Sequence, residues 1–477
     1  MNPSVVIEPS ASGTPAPSTP ASSCPAHSTP APRTAPAAST PAPSTVPATS
    51  TVPATSTAPA TRTPSGVSNT EARRMFLRMA RPHADPDPYP LYARLREIGP
   101  VVPVVFPGVA ARYLVTTFAA CTAMLRDENI GPLTEDHFHE TNPTWKEQGL
   151  ASSLFGSMAF HSGTEHRLDR AMFAKHFSPR RTGQRRGDMV EVATNLLDQL
   201  ELLATAGEPV DIERELAVPY SALIIGRLMG IPDDQALRLG WLTRQASPTL
   251  ELAPSPAQRQ QAAEAGGQMV KELIELAADR RRQPREDLIT DLATQCGDDE
   301  ERLVNSLVLL FSAGFDSPTS VVGMGLRLFL DNPEQAQLLR EDPTLADTAT
   351  EEILRCEPAV QVMFRAAFRD VTLAGVTIPE GSILLGLIAG ACRDPALVDN
   401  PDRFDIRRPP SSGLSFGGGA HYCLGAHLAR LSGTVLFPML LRRFPLMQLA
   451  EKPTYRSPGV ALRGFERMPV ILSPSPS

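Results

Sequence analysis

The first 68 residues contain no Phe, Tyr, Trp or Leu. That absence excludes a packed core there, because too little apolar surface is on offer to offset the entropy of ordering the chain. Ala, Pro, Ser and Thr make up nearly all of the stretch, with Ser-Thr-Val-Pro-Ala-Thr at 44–49 and 50–55 and Ser-Thr-Ala-Pro-Ala-Thr at 56–61. A six-residue period with no recurring large apolar side chain is too short for a stacked helical repeat. The composition predicts a disordered, partly extended tail over 1–68 and a folded domain over 69–477. The start of the chain has no basic segment followed by an apolar run, so no secretory signal is expected.

Other absences narrow the function. The six cysteines (Cys24, Cys121, Cys296, Cys356, Cys392 and Cys423) form no CxxC pair. Neither a disulfide framework nor a zinc site follows, and a reducing cytoplasm fits. No continuous apolar run reaches about 18 residues, so no membrane span is expected. With 45 basic against 52 acidic residues and a net charge of −7, the chain carries no electrostatic footprint for nucleic acid. A strand–helix Gly-x-Gly-x-x-Gly fingerprint for a dinucleotide is also missing.

What is present is mostly helical periodicity. Apolar residues recur at helical spacing over 190–203, 257–282, 303–330, 348–355 and 424–441. Branched residues near turn formers predict short strands over 113–117, 371–373 and 383–386, with a hairpin over 370–381. A mainly α chain with small β-sheets is expected, and the length allows one large unit with a buried cofactor.

The most informative stretch is Phe416-Gly417-Gly418-Gly419-Ala420-His421-Tyr422-Cys423-Leu424-Gly425. A free cysteine is usually a small buried hydrophobe. Here the glycines let backbone pass close to a flat cofactor, and their N–H groups are free to point at the sulfur. Upstream, Ala313-Gly314-Phe315-Asp316-Ser317-Pro318 interrupts a long apolar helix. Gly314 weakens the helix and Pro318 withholds a backbone donor, so a kink or opened turn is expected. An acid and an alcohol beside such a break suit water and proton handling. Two helices, with Asp316 and Ser317 capping the second, is the plainer alternative.

Other charged positions have two readings each. Glu352 and Arg355 lie three apart on a helix, which alone describes an ordinary surface pair. Arg365 sits in an apolar run and needs an anionic partner if buried. His166 and Arg170 share one helix face, as a solvated basic patch also would. His137 and His139 read as exposed loop residues rather than a metal pair. Cys392 has no physical account at this level.

The cysteine stretch matches Phe-x-x-Gly-x-(Arg/His)-x-Cys-x-Gly at every specified position and resembles the cytochrome P450 family. The other motifs appear in that family's order: the (Ala/Gly)-Gly-x-(Asp/Glu)-Thr pattern at Ala313–Ser317 with Ser for Thr, then Glu352-x-x-Arg355, then Cys423. His166-x-x-x-Arg170 resembles the family's His-x-x-x-Arg helix, although Ser162-Gly163-Thr164 replaces Asp-Pro-Pro and loosens the helix start. The resemblance covers about residues 85–470.

It implies the cytochrome P450 fold, with a long central helix over a buried haem b, and Cys423 as axial ligand. Phe416, His421 and Gly425 would belong to the haem loop, and Ala313 would face the haem. His166, Arg170 and Arg365 would meet the propionates. Asp316 and Ser317 would serve O2 activation, while Glu352 and Arg355 would be structural. Leu309, Gln361, Val362, Met363, Ala461 and Leu462 would line the substrate pocket.

The implied activity is insertion of one oxygen atom from O2 into an apolar small molecule, in bacterial secondary metabolism. Electrons would come from a ferredoxin and its reductase, with Arg167, Lys175, Arg180 and Arg181 offering a basic face. The type is a cytoplasmic monomer binding neither membrane nor nucleic acid. Three alternatives are a peroxide-using or rearranging haem-thiolate enzyme, a non-catalytic haem-binding protein, and a helical binding module with a structural Cys423.

Overall fold

The computed structural model describes residues 69–473 except 80–86, 105–111, 142–143, 205–206, 252–253, 412 and 457–459. The tail expected over 1–68 lies outside the described residues. Each of the five long periodic segments is helical: Arg186–Ala204, Pro256–Arg282, Glu300–Asp331, Ala346–Cys356 and Ala426–Arg443.

The Glu300–Asp331 helix is the axis of the fold. Its middle is buried on nearly every side, from Leu303 to Phe311 and again at Phe315 and Val322. Among the described residues it is the one helix long and apolar enough to cross a membrane, yet 67% of its most apolar stretch is buried inside the protein. Such a helix is apolar all round because other helices surround it. Val218–Met229, Asp233–Ala246 and Pro256–Arg282 pack around it. The helix runs unbroken through Pro318, so the expected opened turn does not occur. The cost falls on the Gly314 carbonyl, whose usual donor would have been the N–H of residue 318.

The β component is a five-stranded sheet ordered Val101–Val104, Arg112–Val115, Ile383–Gly386, Met363–Ala367 and Ile130–Gly131. One pairing is parallel, Arg112–Val115 with Ile383–Gly386. The hairpin is present as Val371–Leu373 and Val376–Ile378, turning through Ala374 and Gly375 at positive φ. The strand expected over 113–117 lies at Arg112–Val115, because Thr117 caps the next helix through its side chain.

A buried ion pair ties the helical core to the approach of the cysteine loop. Arg355 Nε and Nη2 donate to the Glu352 carboxylate at 2.7 and 2.9 Å, with both side chains 2% exposed. Arg355 also donates to the carbonyls of Cys392, Pro401 and Arg403. Glu352 accepts in turn from Arg408 Nε and the Asp405 N–H, both at 3.1 Å. The burial and long-range partners set aside the surface-pair reading. Removing one member leaves an uncompensated charge, so Glu352→Ala should cost about 3–5 kcal/mol in urea unfolding. Stability within about 0.5 kcal/mol of wild type would contradict this role.

Candidate active site

A single cavity of about 710 Å³ joins the cysteine loop to the central helix. Cys423, Phe416, Gly417, His421 and Gly425 form one wall. Leu309, Ala313, Gly314, Asp316, Ser317 and Pro318 form another. The side walls include Val362, Met363, Ile383, Leu385, Ala461 and Leu462. Among the described cysteines only Cys423 lines this space.

The cysteine loop is a compact turn. The Cys423 N–H donates to the Phe416 carbonyl at 2.9 Å, and the Gly417 N–H to Leu414 at 2.8 Å. Gly419 is required outright: its φ is +64°, and a Cβ there would sit 2.1 Å from the Leu125 carbonyl oxygen. Arg430 lies over the Phe416 ring at 4.4 Å and is paired with Glu351. Cys392 now has an explanation. Its buried sulfur accepts the Leu414 N–H at 3.3 Å, while Ser415 Oγ donates to the Leu354 carbonyl at 2.7 Å. Together they fasten the loop's first residues to the helical core.

Cys423 stands just ahead of the Ala426–Arg443 helix, whose N-cap is Gly425. Burial pushes its thiol up, opposed by the Gly425 N–H, Arg170 and Arg430. A positive centre at the sulfur would complete what these groups begin, since a metal holds a coordinating thiol deprotonated.

Basic groups gather at the cavity edge, with Asp169 the acid that acts on His166. Arg365 donates to the Phe364 carbonyl, and no ion pair is recorded for it among the described residues. Burial lowers its pKa to about 10. Arg170 Nη2 donates to the Tyr422 carbonyl at 2.8 Å. The His166 and His421 rings approach to 4.1 Å between centroids. Burial first, then His166, Arg365 and Arg170, lower His421 to about 3, and burial followed by Arg170 lowers His166. Four such side chains suit a dianion. An apolar cavity with a thiol at one wall and a basic rim fits haem, with its two carboxylates at that rim.

A cytochrome P450 family model matches residues 247–463. The chain is 30% identical to the biotin biosynthesis cytochrome P450 of Bacillus subtilis, covering 80% of this chain and 96% of that protein. It is 33% identical to the 6-deoxyerythronolide B hydroxylase of Saccharopolyspora erythraea, covering 81% and 96%. Its fold superposes on P450BioI bound to a fatty-acyl carrier protein with a TM-score of 0.74, at 30% identity, over 81% and 99% of the two chains. A myxobacterial cytochrome P450 in complex with myristic acid gives 0.75 at 27% identity, over 83% and 99%.

The chain belongs to the cytochrome P450 family. It is therefore a haem-thiolate monooxygenase of the bacterial type, and that family carries a cysteine-ligated haem.

Several expected residues of this P450 sit differently from the sequence reading. Gln361 does not line the cavity: it is 1% exposed, its side-chain amide nitrogen donates to Pro358, and its N–H donates to Ala461. His137 is buried rather than exposed, with Nε2 3.0 Å from the Gly381 carbonyl and Nδ1 2.7 Å from Thr134 Oγ1. His139 is exposed. Lys175 is held by Asp291 at 2.8 Å. Asp316 lines the cavity, but its Oδ1 is bound by Arg456 Nη1 at 2.5 Å, and Arg456 also reaches Ser320 Oγ. Arg456 stands 140 residues away in sequence, and nothing near it resembles a motif.

A second acid shares the field of Arg456. Glu213 is 1% exposed, meets Arg244 at 3.3 Å and lies against Gly323 of the central helix. Its pKa is raised to about 7, because burial outweighs the pull of Arg244 and Arg456. Between the ordinary value of 4.5 and about 7, the folded protein keeps a proton that the unfolded chain has released. Stability from this group is present below 4.5 and is lost as pH rises through 7. Thermal unfolding followed from about pH 5 to 8 should decline more for wild type than for Glu213→Gln. Parallel curves would contradict the assignment.

Proposed function

We propose that Cys423 is the axial thiolate of haem b and that His166, Arg170, Arg365 and His421 receive its propionates. The observation that carries this reading is one cavity bounded by the cysteine loop on one side and Asp316 with Ser317 on the other. Haem supplies O2 activation and transfer of one oxygen atom to the substrate.

The residues of this chain do the rest. Leu309, Val362, Met363, Ile383, Leu385 and Leu462 make apolar walls that exclude water and hold an apolar substrate by burial. Ser317 Oγ has no hydrogen-bond partner among the described residues, which leaves it available to donate a proton into the cavity. Asp316 Oδ1 is held by Arg456, which fixes the carboxylate at the cavity wall. Ser317 Oγ would hold the proton to be delivered, and the Asp316 carboxylate, paired with Arg456, would take up a replacement from solvent and return it to that hydroxyl. Retention of this acid–alcohol pair favours O2 chemistry over peroxide use or rearrangement.

Electrons arrive from a ferredoxin and its reductase. Arg167, Lys175, Arg180 and Arg181 are exposed and form part of the docking face. The enzyme is a cytoplasmic monomer. Its substrate class is a multi-ring or polyketide-like secondary metabolite, as the relatives' names suggest: a 6-deoxyerythronolide B hydroxylase and a vitamin D(3) 25-hydroxylase at 32% identity.

Reconstitution with ferredoxin, reductase and ¹⁸O2 tests this reading. The substrate is whichever of 6-deoxyerythronolide B, vitamin D3 or a free fatty acid gives the largest spin-state shift. One labelled oxygen per product is expected, with Asp316→Asn reducing turnover about 100-fold. Unlabelled product, or wild-type turnover in Asp316→Asn, would overturn it.

A further inference from the structure

The cavity wall formed by Ala461 and Leu462 is held from two sides. On one side it is stitched to the segment before the Met363–Ala367 strand. The Gln361 N–H donates to the Ala461 carbonyl and the Arg463 N–H to Ala359, both at 2.9 Å, and Val360 bridges to Leu462. On the other side one carboxylate accepts three consecutive backbone donors. Glu251 Oε2 takes the N–H groups of Val460 and Ala461 at 2.8 and 3.1 Å, and Oε1 takes that of Leu462 at 3.2 Å.

Glu251 belongs to a different part of the chain. It follows Ser247–Leu250, in the connection between the Asp233–Ala246 and Pro256–Arg282 helices. Farther along that connection the next helix begins with a capping box between Ser255 and Gln258, and Arg259 Nη1 donates to the Pro254 carbonyl at 2.5 Å. Glu251 itself lines the cavity. One side chain therefore joins the helical connection above the cavity to the C-terminal wall. A carboxylate is suited to this task, because three converging N–H groups need a charged acceptor with lone pairs on two oxygens.

We propose that Glu251 is a specificity-determining positioning residue: its carboxylate fixes the Val460–Leu462 wall and so sets how long a bulky apolar molecule stays in the cavity. The proposal rests on the cavity being the haem and substrate site. Glu251 touches no reacting atom, so its removal should alter residence of large ligands and spare small ones that need only the iron. Glu251→Gln retains one acceptor oxygen but turns an NH2 group toward the backbone donors, and its effect should fall between wild type and Glu251→Ala.

The experiment uses the holoenzyme of wild type, Glu251→Gln and Glu251→Ala. Amide hydrogen exchange at Val460, Ala461 and Leu462 should accelerate by about tenfold or more in Glu251→Ala. Clotrimazole, a bulky iron-binding azole followed by the Soret band, should dissociate about fivefold faster or more, while imidazole binding stays unchanged. Unchanged exchange would overturn the clamp. Faster exchange with unaltered clotrimazole release would overturn the specificity role and leave a merely structural contact. Failure of wild type to bind imidazole would overturn the cavity reading, and the proposal with it.

Discussion

A buried thiol resists ionisation, and this protein is arranged around holding one sulfur where a metal can keep it charged. Burial raises the Cys423 thiol, and the nearby Gly425 N–H, Arg170 and Arg430 offset only part of that. The geometry therefore has to be supplied by the scaffold. Gly419 lets the loop pass against the Leu125 carbonyl, Cys392 and Ser415 fasten its start, and the Ala426–Arg443 helix carries its end into the core. Behind these stands the Glu352–Arg355 pair, whose hydrogen bonds fix the carbonyls of the segment leading to the loop.

The opposite wall meets a different constraint. Asp316 must be polar inside a largely apolar cavity, and Arg456 bears the cost of keeping it there. The same arginine lies in the field of both Asp316 and Glu213, and burial raises the Glu213 carboxyl to about 7. The cavity's polarity is thus asymmetric: a basic rim beside the cysteine loop, and a neutralised acid–base cluster by the central helix.

Much of this was legible in the sequence. The cysteine loop, the long central helix and the order of the motifs each rest on contiguous residues with a local physical signature. Glu352 and Arg355 could be located, but their burial was not visible, because three-residue spacing looks alike on a surface and in a core. Pro318 predicted a break that dense packing of neighbouring helices suppresses. Arg456 and Glu251 carry no local signal because their partners lie 140 and about 210 residues away in sequence, and a lone charged residue has no pattern to read. Gln361 was placed in the pocket by its neighbours, whereas its own side chain turns to the Pro358 carbonyl. The role of Cys392 required knowing that its sulfur meets a backbone N–H 22 residues on.

The most direct test of the account is the absorption spectrum of the reduced protein under carbon monoxide, recorded for wild type and Cys423→Ala. A strongly red-shifted Soret band in wild type, absent from the variant, is the predicted result. An unshifted band of the histidine-ligated kind, or a red-shifted band that survives in Cys423→Ala, would contradict the assignment of that sulfur as the iron ligand.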